Sequence, residues 1–184
     1  MTQPRHEITQ KYESNVRHIE RWKLTIEWLS QFNIKGHCID LGDKTEMTDL
    51  IESKFGVTVD NTNHDLDFPF NYNKKYSNLF MFEIVEHLVN PLVCLTSIKQ
   101  YISKDGILYL STPIYRPKWM RNKKLHFHEF NFNELQFLID KAGFKILNKK
   151  IINPTKLRYA ITGIRPLIRV IGFDRNILIA LQLA

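Results

Sequence analysis

Phe82-Glu83-Ile84-Val85-Glu86-His87-Leu88 sets two carboxylates and an imidazole at the close of the apolar run Asn78-Leu79-Phe80-Met81-Phe82. Read as the start of a helix, the segment spaces Glu83, Glu86 and His87 at i, i+3 and i+4, which share one helix face. Carboxylates and an imidazole held together can move a proton near neutral pH or hold a divalent cation. Open α/β sheets bind ligands in the crevice outside the carboxyl ends of their strands, where such a run would end. The competing reading is a solvated helix start, since acids favour the first helical turn. Two further histidines, His126 and His128, alternate about Phe127 and share a face if that stretch is extended. His87, His126, His128 and Glu86 are thus the candidates for proton transfer; the alternative is that they cap a helix or pin a loop.

The elements that must position these groups follow from periodicity and punctuation. Residues 8–31 carry apolar side chains at helical spacing, and Trp22 and Trp28 read as packing residues. Strands are expected at His37–Leu41, at Val57–Val59 closed by Asp60, and at 78–82, with at most a brief strand near His64–Asp67. A helix over 45–55 has Thr45 or Asp43 as N-cap and stops at Gly56. A helix over 88–102 tolerates Pro91 in its first turn. Lys104-Asp105-Gly106 reads as a turn into the strand Ile107–Leu110. A loop then spans Ile114 to Phe130. Asn131 and Glu134 form a capping box for a helix to Ala142, and Gly143 stops it. Phe144–Ile152 is a strand, Thr155–Ile171 a broken helix and Asn176–Leu183 an apolar final strand, placed at the sheet edge. Alternation of strands and helices predicts an α/β domain, doubly wound and mostly parallel, with an antiparallel last strand.

At 184 residues the chain suggests a single domain: a helical segment over 1–34, a core over 35–150, and a terminal helix and edge strand over 151–184. No apolar run reaches the roughly 18–20 residues of a membrane span. The first residues lack an apolar signal-peptide core, so a cytoplasmic location is the default expectation. Charge is uneven: residues 1–114 hold 12 basic and 15 acidic groups, and residues 115–184 hold 14 and 4. The densest basic cluster, Arg116–Lys124 with Trp119 inside it, is a candidate for contact with an anionic substrate; nucleic acid is a less favoured partner.

Asp40-Leu41-Gly42, after a strand and before a helix, opens a nucleotide-type loop, and Asp60 follows at the distance of a ribose-binding acid. Lys44 and Glu46 stand where a dinucleotide fingerprint needs small residues. Asp43 and Glu46 would repel a pyrophosphate, which opposes a phosphate-cofactor oxidoreductase and suits a cationic adenosine ligand. With these residues in place, the order Cys38-Ile39-Asp40-Leu41-Gly42, Asp65–Phe70, Glu83–Pro91, Lys104–Pro113 and His126-Phe127-His128-Glu129-Phe130 resembles class I S-adenosylmethionine-dependent methyltransferases. The resemblance covers roughly residues 35–150.

That resemblance implies a Rossmann-like sheet of seven strands and S-adenosylmethionine as cofactor. Gly42, beside Asp40, would underlie the methionine part, Asp60 would take the ribose, Asp65 would lie near the adenine, and Phe82 and Glu83 would floor the pocket. Glu83, Glu86, His87 and His126 also resemble the metal-binding set of RNA 2′-O-methyltransferases, which implies a divalent ion. The implied reaction is O-methylation of a glycan or small-molecule hydroxyl. The alternative is a non-catalytic binding module with a degenerate cofactor loop.

Overall fold

Uninterrupted apolar runs make strands that are buried on both faces, and two such runs form the centre of this sheet. The computed structural model describes residues 16–62, 64–68, 72–114, 126–154 and 175–184. Helix α1 is Val16–Leu29, followed by β1 Cys38–Asp40, α2 Glu46–Phe55, β2 Val59–Asn61 and β3 Tyr76–Phe82. A single 3-10 turn, Val85–His87, precedes α3 Pro91–Ile98. A second 3-10 turn, Lys99–Tyr101, leads into β4 Ile102–Ile114, and then come α4 Phe132–Lys141, β5 Phe144–Ile152 and β6 Arg175–Leu183.

The described strands form one sheet in the order β2-β1-β3-β4-β6-β5. β1 to β4 run parallel, and β6 is antiparallel to both of its neighbours. Side chains alternate between two apolar layers. Ile39, Leu79, Met81, Leu108, Leu110, Ile177 and Ile179 face the layer that holds Leu95 of α3 and Leu135 of α4. Cys38, Phe80, Tyr109, Leu178 and Ala180 face Trp28 of α1 and Ile51 of α2. Each fully buried aliphatic side chain contributes about 1.5–3 kcal/mol. Phe82, Phe80 and Tyr109 stack in series, and Trp28 and Phe32 meet Tyr109 edge-on.

Four expectations need correction. The sheet has six described strands, not seven: the described residues of His64–Asp67 form no strand, and Asp67 Oδ1 instead accepts from the amides of Val89 and Asn90 at 2.8 and 3.0 Å. The final strand is not at the edge. Its unbroken apolar run suits the interior position between β4 and β5, whereas exposed Lys145 and Lys149 suit β5 to the edge. The expected turn at Lys104–Gly106 is a bulge inside β4: the ladder pairs Ile102 with Tyr76 and then skips to Ile107 with Asn78. There the chain folds back on itself, and a Cβ on Gly106 would come within 2.8 Å of both Ile102 Cγ2 and the Tyr76 carbonyl, which requires the glycine. β2 begins at Val59 and ends at Asn61, which places Asp60 in its middle opposite Ile39.

The capping expectations hold. Thr45 caps α2 and Gly56 ends it in the left-handed region at φ 66°. Asn131 accepts from the Glu134 amide at 3.0 Å, and Glu134 Oε2 accepts from the Asn131 amide at 2.8 Å. The expected helix over 155–171 and the basic cluster at Arg116–Lys124 lie outside the described residues.

Candidate active site

The carboxyl ends of β3 and β4 gather most of the chemistry. β3 ends at Phe82, paired with Ser111 of β4, and the chain turns sharply at Glu83, whose φ is 57°. A left-handed conformation at a residue other than glycine costs about 1–3 kcal/mol and persists only where its surroundings over-determine it. Here they do. The Glu83 amide donates to the Ser111 carbonyl at 3.0 Å and to Ser111 Oγ at 3.1 Å. Ser111 Oγ donates to Glu83 Oε1 at 2.7 Å, and Asn176 Nδ2 lies 2.8 Å from both carboxylate oxygens. Arg21 of α1 closes the cluster with a guanidinium nitrogen 3.0 Å from Glu83 Oε2.

This geometry overturns the one-face helical reading. Glu83, Glu86 and His87 do not lie on a helix, because the left-handed residue turns the chain into the Val85–His87 turn. Glu83 points to Arg21, Ser111 and Asn176. Glu86, His87 and His126 form a separate group whose ligand-capable atoms all lie within 4.8 Å of one another. Glu86 is buried, with Thr112 Oγ1 donating to its Oε2 at 3.0 Å. Burial, reinforced by the charge of Glu83, raises the Glu86 pKa well above the usual carboxylate range and favours its protonated form. His87 Nε2 lies 4.0 Å from Glu86 Oε1, and the His87 and His126 rings meet edge-on at 4.9 Å.

The loop carrying the last two histidines is fastened to the turn below it. The amides of Phe127 and His128 both donate to the Glu86 carbonyl, at 2.9 and 3.1 Å. This brings His126 against His87. His128 instead stacks on Phe130, with ring centroids 5.3 Å apart. Glu129 Oε1 stands 3.7 Å from His126 Nδ1. A cation held here would have one carboxylate and two imidazoles, a set that suits a transition ion better than magnesium. Glu83 is not available to it as expected.

The carboxyl ends of β1 and β2 are built more sparingly. Asp40 is buried, and Thr48 of α2 donates to its Oδ2 at 2.8 Å. Burial pushes the Asp40 pKa up to about 7; the Thr48 hydrogen bond opposes this and the charge of Asp43 adds to it. The Gly42 carbonyl accepts from Asn61 Nδ2 at 3.2 Å. A Cβ on Gly42 would lie 3.4 Å from Ile84 Cδ1, so the loop and the turn after β3 touch. Lys44 folds back along α2 to Asp49 and Glu52, each at 3.0 Å. Asp60 shares the sheet face of Ile39. Burial would raise its pKa, but hydrogen bonds from Lys74 and Tyr76 hold it below the usual range. Asp65 is exposed and its Oδ1 accepts from the Asp67 amide at 3.1 Å.

No family model and no curated protein matches the sequence. Solved structures do. A S-adenosylmethionine-dependent methyltransferase from Archaeoglobus fulgidus superposes with a TM-score of 0.63 at 14% identity, over 98% of this chain and all of that one. One from Clostridium acetobutylicum gives 0.59 at 10% identity, over 97% and 98%. The cyclase SpnF gives 0.62 at 12% identity, over 94% and 86%. The chain has the class I S-adenosylmethionine-dependent methyltransferase fold. The Asp40–Gly42 loop and the Glu83–His87 turn follow the carboxyl ends of neighbouring parallel strands, where open α/β sheets bind ligands.

Sequence reasoning passed over several residues in this methyltransferase-fold crevice. Asn176 carried a signal: it is a buried amide heading an apolar strand. Ser111 and Thr112 closed a strand, but nothing local tied them to Glu83 and Glu86. Arg21 gave no signal, since it is one basic residue on an amphipathic helix.

Proposed function

We propose that the protein is a S-adenosylmethionine-dependent methyltransferase that methylates a hydroxyl of a glycan or small molecule. The observation that carries this reading is the group of Glu86, His87 and His126, held beside Thr112 and next to the loop that Gly42 opens. The sulfonium is an activated donor, so alignment of the acceptor supplies much of the rate. Methylation of a hydroxyl forms a C–O bond as the S–C bond breaks and leaves a proton to be removed. His126 or His87 takes it in this reading, since imidazoles are the side chains best suited to proton transfer near neutral pH. Asp40 and the Gly42 backbone line the methionine side, and Asp60 reaches the ribose once Lys74 yields.

Calorimetric titration with S-adenosylmethionine and its demethylated product tests the reading. Micromolar affinity that falls in Asp60→Ala supports it. Absence of binding at millimolar ligand favours a non-catalytic binding module, the reading that the Asp60–Lys74 pair supports. A divalent ion at Glu86, His87 and His126 is a finer form of the proposal, supported by the three-residue geometry. Its test is titration with Mn²⁺ or Zn²⁺, with the expectation that Glu86→Ala abolishes binding.

A further inference from the structure

The Glu83 turn joins parts of the crevice that are otherwise separate. One residue later, Ile84 packs against the place a Cβ would occupy on Gly42. Three residues later, the Glu86 carbonyl takes the amides of Phe127 and His128 and so fixes the histidine loop. Movement of Glu83 would therefore reach both the cofactor loop and the His126 side. What holds Glu83 comes from elements distant in sequence: Ser111 on β4, Asn176 on β6 and Arg21 on α1. The first two are sheet residues, tied down by strand pairing. Arg21 is different. It rides on a helix whose further polar ties to the sheet, Trp28 Nε1 to Asn148 Oδ1 at 3.0 Å and Glu27 to Lys150 at 3.9 Å, go to β5 and not to the Glu83 turn. Both Arg21 and Glu83 are mostly buried, at 16% and 14% side-chain exposure. Arg21 Nη2 also hydrogen-bonds to His18 Nδ1 at 3.0 Å while Nη1 meets Glu83, so the guanidinium is held at both of its terminal nitrogens.

We propose that Arg21 is a positioning residue. Through Glu83 it holds the left-handed turn that sets Ile84 over Gly42 and presents Glu86 and His87 to the His126 loop. The N-terminal helix is on this account part of the reaction machinery and not only a cover for the aromatic layer. The role in the reaction rests on the methyl-transfer reading; the control of the turn does not. Arginine suits the task because its planar fork can bond Glu83 and His18 at once, which a lysine ammonium on a flexible stem cannot reproduce in geometry.

Amide hydrogen exchange followed by NMR tests this in the full chain, with Arg21→Met, Arg21→Lys and Glu83→Gln compared to wild type. In Arg21→Met the Phe127 and His128 amides are expected to exchange about tenfold faster, because local opening is measured residue by residue. Tyr109 and Ile179, in the sheet, are expected to stay within about twofold. Arg21→Lys is expected to recover part of the protection, and Glu83→Gln to reproduce the methionine pattern without touching α1. A uniform acceleration across the sheet would overturn the proposal by making Arg21 a simple anchor of α1. Unchanged exchange at Phe127 and His128 would overturn it equally. Calorimetry with S-adenosylmethionine on the same samples separates the two claims. If wild type does not bind it, the methyl-transfer reading falls and takes the reaction role of Arg21 with it, while the exchange pattern still decides whether Arg21 holds the turn.

Discussion

The two halves of the crevice are built by opposite means. At the ends of β3 and β4, a strained residue is locked by groups from α1, β4 and β6, and the next turn is buttoned to the histidine loop. At the ends of β1 and β2, Gly42 is held by one amide, Asp60 is partly exposed and Lys44 lies back on its helix. The heavily bonded end suits groups that must meet a reacting atom at fixed geometry. The sparing end suits a ligand that supplies its own contacts.

The contrast can be broken most directly by removing one carboxylate from each side. Glu83→Ala leaves Arg21, Ser111 and Asn176 without their shared acceptor and is expected to cost about 3 kcal/mol in urea unfolding. Asp60→Ala breaks a nearly half-exposed ion pair and one hydrogen bond from Tyr76, and is expected to cost about 1 kcal/mol. Equal losses would erase the distinction.

Next in size is a pH effect rooted at the sparing end. Asp40 keeps its proton up to about pH 7 when folded and releases it around 3.8, its unperturbed value, when unfolded. The folded state thus binds more protons in that window, and stability falls as pH rises from about 4 to about 7, then levels. A loss of about 2 kcal/mol between pH 5 and pH 8 is expected, and Asp40→Asn should flatten the curve. Glu86, raised in the same direction, contributes with the same sign, so Glu86→Gln divides the effect between the two ends.

A smaller effect sharpens the cofactor side. Gly42→Val would crowd Ile84 and fill the approach to the loop backbone, and is expected to weaken S-adenosylmethionine binding by at least about tenfold. Retained affinity would move the cofactor elsewhere. The smallest change is Lys74→Met, which frees Asp60. A two- to threefold gain in affinity, roughly 0.5 kcal/mol, is expected if Asp60 meets the ribose. No change would mean that Asp60 serves only Lys74 and Tyr76.

Much of the scaffold was legible because its signals are local. Thr45, Gly56, Asn131 and Glu134 act within a few residues of themselves, and they terminate their helices as read. The association of His126 with Glu86 and His87 was implied only by the resemblance to methyltransferases that bind a metal, and there it included Glu83, which the structure leaves outside the group. The fate of Glu83 did not, because its conformation is imposed from a distance: Asn176 lies 93 residues away in sequence. Helical spacing assumes ordinary φ, and one left-handed residue turned Glu83 to different partners from Glu86. The place of the last strand was misread for a related reason. Chain order suggested an edge, whereas its apolar continuity, set against the lysines of β5, marked it as interior.

That arrangement bears on how the molecule comes into being. β5 pairs with β6 and with no other described strand, yet β6 is made later. As the chain leaves the ribosome at about 5–20 residues per second, β5 must wait unmated while β4 offers a bare flank. The lysines along β5 then guard a nascent ribbon against the wrong neighbour before they ever guard a finished one.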